Sequence, residues 1–328
     1  MRVLLSLLLL LCVLLAPAAA GADDAVRLEA LLVQGEQPGP GLWRVSRGEH
    51  ELWILGTQAP LPRRMRWRAT EVEALLPGSG ELLSDAQVEF NTGLGMMRSM
   101  LLVPSLLGAR RNPDGQRLAD LLPAELHARW TVLRDRWLRG ARRYEQWRPL
   151  FAAEALYSGA IARSGMRDDG AVWKQLEKSA RRQGVAVTRP TVTVTIAEPK
   201  QSLQQFRALA LDDVDCLRTV VERLETDLES MRARANAWAI GDLERLRELP
   251  HPDNRRVCQE ALLRANLGDG VPLAELPGRI RAAWLQAATA ALATHRRSVA
   301  VVSLRNLLAP EGYLAALREQ GYSIEEPE

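Results

Sequence analysis

The chain is short of the residues that announce a chemistry. It has four histidines in 328 residues, and the closest two, His251 and His295, lie 44 positions apart. A His-x-His or His-x-x-x-His pair, which grips a metal from one strand or one helix face, is therefore excluded. Three cysteines with no Cys-x-x-Cys exclude a zinc ribbon and a thioredoxin-like redox motif. Gly-x-Ser-x-Gly is absent, and Gly78-Ser79-Gly80 precedes a strand pattern, the wrong context for a nucleophile elbow. Gly93-Leu94-Gly95 lacks the third glycine of a dinucleotide fingerprint. Neither sign of charge is in excess: 43 basic against 40 acidic residues leave +3, which argues against nucleic-acid binding driven by counterion release. Lysine is confined to Lys174, Lys178 and Lys200, so arginine carries nearly all the positive charge. The pairs Arg63-Arg64, Arg110-Arg111, Arg142-Arg143 and Arg181-Arg182 read as solvated faces. No low-complexity tract or repeat is visible.

What is present is globular: 47% hydrophobic and 25% charged residues, enough for one large domain or two small ones. The first residues stand apart. Met1-Arg2, an apolar run from Val3 to Ala16, then Pro17 and small residues to Ala22 form the three regions of a secretory signal. An uncleaved membrane anchor is the rival reading, but the run is shorter than the ~20 residues needed to cross a bilayer. Residues 1–22 are expected to be a signal peptide cut before Asp23 (or after Ala20), and 23–328 a single exported domain, periplasmic or secreted, with no stable membrane span after cleavage. Cys12 leaves with the signal. The remaining pair, Cys216 and Cys258, is expected to form a disulfide in an oxidising compartment, the alternative being two buried thiols.

Periodicity supplies the elements. Leu42–Ser46 and Glu51–Leu55 flank Arg47-Gly48-Glu49-His50 as a hairpin ending at Gly56-Thr57, with Trp43 and Trp53 facing a partner or each other. Residues 67–76 read as a short helix and Glu81–Ser84 as a strand. The apolar stretch from Gly93 to Leu107 fits a buried helix or a lid over a cleft. Leu126, Trp130, Leu133 and Trp137 share a helix face, Pro149 opens a second helix, and Val172, Leu176 and Ala180 mark a third. Residues 185–187 and 192–196 read as strand. Asp212-Asp213 is expected to cap one long helix running to Trp238, and Asp242 another short one. His251-Pro252-Asp253 reads as a turn. Pro277 opens a helix with Trp284 inward, Val299–Val302 is a buried strand, Pro310–Arg318 a helix capped by Gly321, and Tyr322–Ile324 an edge strand. The fold class is α/β, a central mixed sheet formed by N- and C-terminal strands with a large helical middle region.

Several of these segments carry a resemblance. Leu42-Trp43, Leu55-Gly56-Thr57, Leu61-Pro62 and Trp67-Arg68 resemble the opening of TraB/GumN proteins, relatives of the Tiki proteases. Ala237-Trp238-Ala239-Ile240-Gly241-Asp242-Leu243 is similar to that family's Trp-x-x-Gly-Asp segment, and Val299–Val302, Gly312-Tyr313-Leu314 and Gly321-Tyr322 to its ending. The resemblance implies two half-sites at strand ends meeting over a cleft. In active members each carries a Gly-x-x-His, and a Glu after the next strand completes a divalent metal centre that hydrolyses peptide bonds.

Carried onto this sequence, the pattern fails at its ligands. The first half-site is Gly56-Thr57-Gln58-Ala59, the Glu position falls at Asp85, and the second half-site is Ser303-Leu304-Arg305-Asn306. A methyl group at Ala59 ligates nothing, Asn306 is a poor transition-metal ligand, and one carboxylate does not make a site. The reading is a degenerate metallohydrolase with no metal or other cofactor, acting as a binding or regulatory module for an unknown protein or peptide in the former cleft. A hydrolase rearranged around Asp85 and a structural envelope protein are the alternatives.

Overall fold

The computed structural model describes residues 39–95, 98, 100–209, 212–249, 257–258, 260–261 and 273–327. The expected signal segment with Cys12 and the expected His251-Pro252-Asp253 turn lie outside the described residues.

The expected sheet is present. Strands β1 (Leu42–Arg47) and β2 (His50–Thr57) form the hairpin, β3 (Leu61–Pro62) follows, and β4 is Glu81–Ser84. Further strands are β5 (Gln87–Asn91), β6 (Met166–Arg167), β7 (Ala186–Thr188), β8 (Thr191–Thr195), β9 (Arg297–Ser303) and β10 (Ser323–Glu325). Six of them join in the order β10-β1-β2-β9-β4-β7. Pairs β10–β1 and β1–β2 are antiparallel, and β2–β9, β9–β4 and β4–β7 are parallel. Both chain ends thus share one sheet, with β9 at its centre. Ser298 to Val302 of β9 are all buried, as an apolar strand covered on both faces must be. The hairpin turns at Gly48, whose φ of +60° is cheap only without a Cβ. In β1, by contrast, the alternation sends Trp43 and Val45 inward and leaves Arg44 out. Trp43 therefore sits opposite Ile54 inside the core, while Trp53 lies opposite Arg44 under its guanidinium, so the two tryptophans face opposite ways.

The helices in chain order are α1 (Thr70–Leu75), α2 (Val103–Gly108), α3 (Ala124–Leu138), α4 (Pro149–Arg163), α5 (Ala171–Arg182) and α6 (Pro199–Ala208). They continue as α7 (Val214–Thr226), α8 (Leu228–Ala239), α9 (Leu243–Glu248), α10 (Leu276–Thr294), α11 (Leu304–Leu308) and α12 (Tyr313–Glu319). A second core, separate from the one on the sheet, joins α3, α4 and α7 through Trp130, Leu133, Leu156 and Val220. Cys216, buried on α7, forms the expected disulfide with Cys258. Glu145 lies inside this helical unit and accepts from Trp130 Nε1 at 2.8 Å, Arg134 Nη1 at 2.5 Å and His127 Nε2 at 3.1 Å. Burial alone would raise the Glu145 pKa, but these donors outweigh it and hold the carboxyl below its ordinary value.

Six expectations need correction. The helix expected over Pro310–Arg318 begins only at Tyr313, and a separate short helix, α11, precedes it. The helix expected from Asp212 to Trp238 is broken at Asp227, where the backbone leaves helical geometry, giving α7 and α8. Asp213 does not bond its own helix with its side chain; its Oδ2 accepts from the Leu150 N–H at 2.9 Å, in the first turn of α4, whose early N–H groups lack intrahelical partners. The helix expected over 67–76 begins only at Thr70, and Trp67 instead packs on Trp238 with ring centroids 5.6 Å apart. Strand β8 leaves the main sheet to pair in parallel with β5, a strand the sequence reading missed. Of the described residues between Gly93 and Leu107 only Leu102 is buried, and α2 has no buried residue, so they do not form a buried helix.

Candidate functional site

In a sheet with parallel strands, ligands gather beyond the strands' C-terminal ends. Here β2, β9 and β4 end side by side, with Thr57 opposite Ser303 and Ser84 opposite Val301. Beyond them is a cleft of about 320 Å³. Its walls include Ala59, Asp85, Gln87, Arg167, Trp173 and Ser303. No described residue between Gly93 and Leu107 lines this cleft.

The first half-site rests on Gly56. A Cβ there would overlap Leu304 Cδ2 and come within 3.0 Å of the Trp43 ring. Its carbonyl accepts from the buried Trp238 Nε1 at 2.7 Å, which ties the middle tryptophan motif to the first half-site. Gln58, only 5% exposed, donates Nε2 to the Ala59 carbonyl at 2.9 Å, and its Oε1 faces Arg234 Nη2 at 3.4 Å. Arg234 is buried on α8 and donates to the Leu246 and Leu249 carbonyls at 2.7 and 2.9 Å. Burial, reinforced by the charge of Arg223, lowers its pKa. Ala59 itself is exposed and offers only its methyl group.

The second half-site closes on Asp85. After β9 the chain turns at Ser303, whose Oγ accepts from the Asn306 N–H at 3.3 Å and caps α11. The free N–H of Ser303 reaches Asp85 Oδ2 at 3.0 Å. Asn306 Nδ2 lies 3.1 Å from each Asp85 oxygen, and Tyr313 Oη donates to Oδ1 at 2.8 Å. A carboxylate only accepts, so the amide must turn its NH2 toward it and its carbonyl away. Tyr313 stacks on Trp284 at 3.9 Å between centroids, and its phenol is pushed far above its ordinary range, by burial first and then by the Asp85 charge.

Gly56, Ala59, Asp85 and Asn306 were all singled out from the sequence. Asp85 and Asn306 are in direct contact, and Ala59 and Asp85 line the same cleft. Gly56 supports the strand end behind it. The sequence reading missed Tyr313 and Arg234 as members of the network. Tyr313 was visible as part of Gly312-Tyr313-Leu314, but pairing across 228 positions gives no local signal. None of the described histidines lines the cleft: His50 opens β2, His127 is bound to Glu145, and His295 ends α10, 3.7 Å from Glu81. Among the described residues no group of three His, Cys, Asp or Glu side chains converges as a metal shell.

The divalent metal implied by the resemblance does not fit these groups. Ala59 has no lone pair, the Asn306 amide presents hydrogens rather than a donor atom, and both Asp85 oxygens are already engaged.

The fold and cleft define an α/β protein whose two terminal regions build one strand-end site. The family model of the TraB/PrgY/gumN family matches residues 41–326, and the chain belongs to that family. No curated protein and no solved structure gave a significant match.

Proposed function

We propose that the chain is an exported TraB/PrgY/gumN protein that has lost the hydrolytic metal centre and uses the cleft to bind a protein or peptide. The observation that carries this reading is the saturation of Asp85. Its carboxylate takes hydrogen bonds from Ser303 N, Asn306 Nδ2 and Tyr313 Oη, all within 3.1 Å. A carboxylate so engaged is a structural anchor. Taking up a metal or a catalytic proton there would break contacts that hold α11 and α12 to β4. Export is supported by the first 22 residues and by the cysteine pair, which requires an oxidising compartment to persist.

The cleft still has the character of a binding site. Leu61, Val172 and Trp173 give it apolar walls, and Gln87, Arg167 and Asp169 give it polar groups that can orient a backbone. A panel of unstructured peptides offered to the chain from Asp23 onward tests the reading. Binding, followed as the fluorescence difference between the wild type and Trp173→Phe, is expected without cleavage in the presence of Mn, Co or Zn ions. Metal-dependent cleavage that Asp85→Ala abolishes would refute it.

A further inference from the structure

The described residues include eight strongly exposed large apolar side chains, and six of them fall between Phe90 and Leu107. Met100 is 66% exposed and Leu101 75%, while Val103, Leu106 and Leu107 project from α2. Positions 103, 106 and 107 stand at three- and four-residue spacing and so share one face of the helix. Leu102 and Ala109, 8% and 4% exposed, point the other way and fix the segment to the body, with α2 against α6. The apolar face is thus held outward by its own anchors.

Within the segment the charge has one sign, with the acids Glu89 and Asp114 standing just outside it. From Phe90 to Pro113 the sequence contains no acidic residue, whereas Arg98, Arg110 and Arg111 are exposed at its two ends. Arg207 of α6 adds a fourth cation, its guanidinium carbon 3.6 Å from where a Cβ on Gly108 would stand. Apolar side chains rimmed by arginine, with no acid among them, match the surface of an anionic bilayer: leucines enter the acyl boundary and guanidinium groups meet lipid phosphates. A second copy of the chain is a poorer occupant. A two-fold interface on this face would press each copy's arginines toward its partner's. The cleft does not use these residues, so the surface is separate from the site described above.

We infer that the exposed face formed by Phe90, Met100, Leu101, Val103, Leu106 and Leu107 is a peripheral membrane-docking surface, in which Leu101, Leu106 and Leu107 enter the interface of an anionic lipid bilayer and Arg98, Arg110, Arg111 and Arg207 bind its phosphates. The contact is reversible and interfacial, since no described helix is long and apolar enough to cross a membrane.

Vesicle flotation of the chain from Asp23 onward tests this, with phosphatidylglycerol mixed into phosphatidylcholine and with phosphatidylcholine alone. The expected result is flotation with the anionic vesicles, weakened by salt, and little with the neutral ones. Leu106→Glu with Leu107→Glu should lower the partition coefficient more than ten-fold. Arg98→Gln and Arg111→Gln should each lower it roughly five-fold. These side chains are exposed, so unchanged circular dichroism is expected and separates lost docking from lost folding. Three outcomes would overturn the inference: no flotation, equal flotation with neutral vesicles, or flotation indifferent to all four substitutions. Self-association by sedimentation velocity that the double glutamate variant abolishes would likewise overturn it and assign the face to a second copy.

Discussion

Asp85→Ala is the most informative substitution, because a structural anchor and a catalytic group respond to it differently. In the wild type the carboxylate receives Ser303 N, Asn306 Nδ2 and Tyr313 Oη. Removing it strands three donors. The Ser303 N–H and the Asn306 amide are half-buried and find water at modest cost, but the Tyr313 hydroxyl belongs to a residue only 2% exposed. An unsatisfied buried hydroxyl costs about 1–3 kcal/mol, and the lost bonds to a carboxylate add to it, so the variant should lose about 3 kcal/mol. Tyr313→Phe alone should lose about 1–2 kcal/mol, since Asp85 keeps its other donors. In the double variant the stranded hydroxyl is absent, so the two losses should fall short of additive by about 1–2 kcal/mol. Urea unfolding of the four proteins at pH 7 measures the cycle. A loss below about 0.5 kcal/mol for Asp85→Ala, or a coupling indistinguishable from zero, would refute the anchor role.

Other sites respond in calculable ways. Gly56→Val should destabilise by about 1–3 kcal/mol through overpacking against Leu304 and Trp43, seen as a lower melting temperature, and a neutral result would contradict the close approach. Asp213 is a buried acid whose pKa burial raises from 3.8 to about 6, so the native state holds its proton more tightly than the unfolded state. Its contribution should therefore fall as pH rises from about 4 to 6, by about 3 kcal/mol in all, and Asp213→Asn should remove that slope from a pH series of unfolding curves. The Cys216–Cys258 bridge closes a separation of 42 residues, so reduction should cost about 4 kcal/mol, and a thiol assay on unreduced protein should find no reactive thiol. Glu145→Gln should cost about 3 kcal/mol or more by weakening the buried contacts to Arg134, Trp130 and His127, which thermal unfolding would report.

Where a segment's pattern repeated locally, the sequence revealed its structure. The hairpin, the Trp130 face of α3, Pro149 at the start of α4 and the buried strand β9 all follow from spacing and composition. The failures share a cause in tertiary competition. Residues 212–238 keep a helical pattern throughout, yet Asp227 interrupts it and Asp213 turns its carboxylate to a neighbouring helix. Gly93–Leu107 reads as buried because it is apolar, and composition alone cannot say that Leu101, Leu106 and Leu107 point outward. Strand β5 alternates Val88 and Phe90 with polar residues over only five positions and is largely exposed, so its pairing with β8, more than 100 residues away, is what reveals it. In the site, Ala59, Asp85 and Asn306 were legible position by position. The network that joins them was not, because Asp85, Asn306 and Tyr313 meet only through the fold.

The most direct test of the proposed loss of a metal centre is the metal content of the chain from Asp23 onward after incubation with Zn, Mn and Co ions and gel filtration, by elemental analysis. The account predicts well under one equivalent of each metal, unchanged by Asp85→Ala. One tightly held metal per chain that Asp85→Ala removes would contradict it.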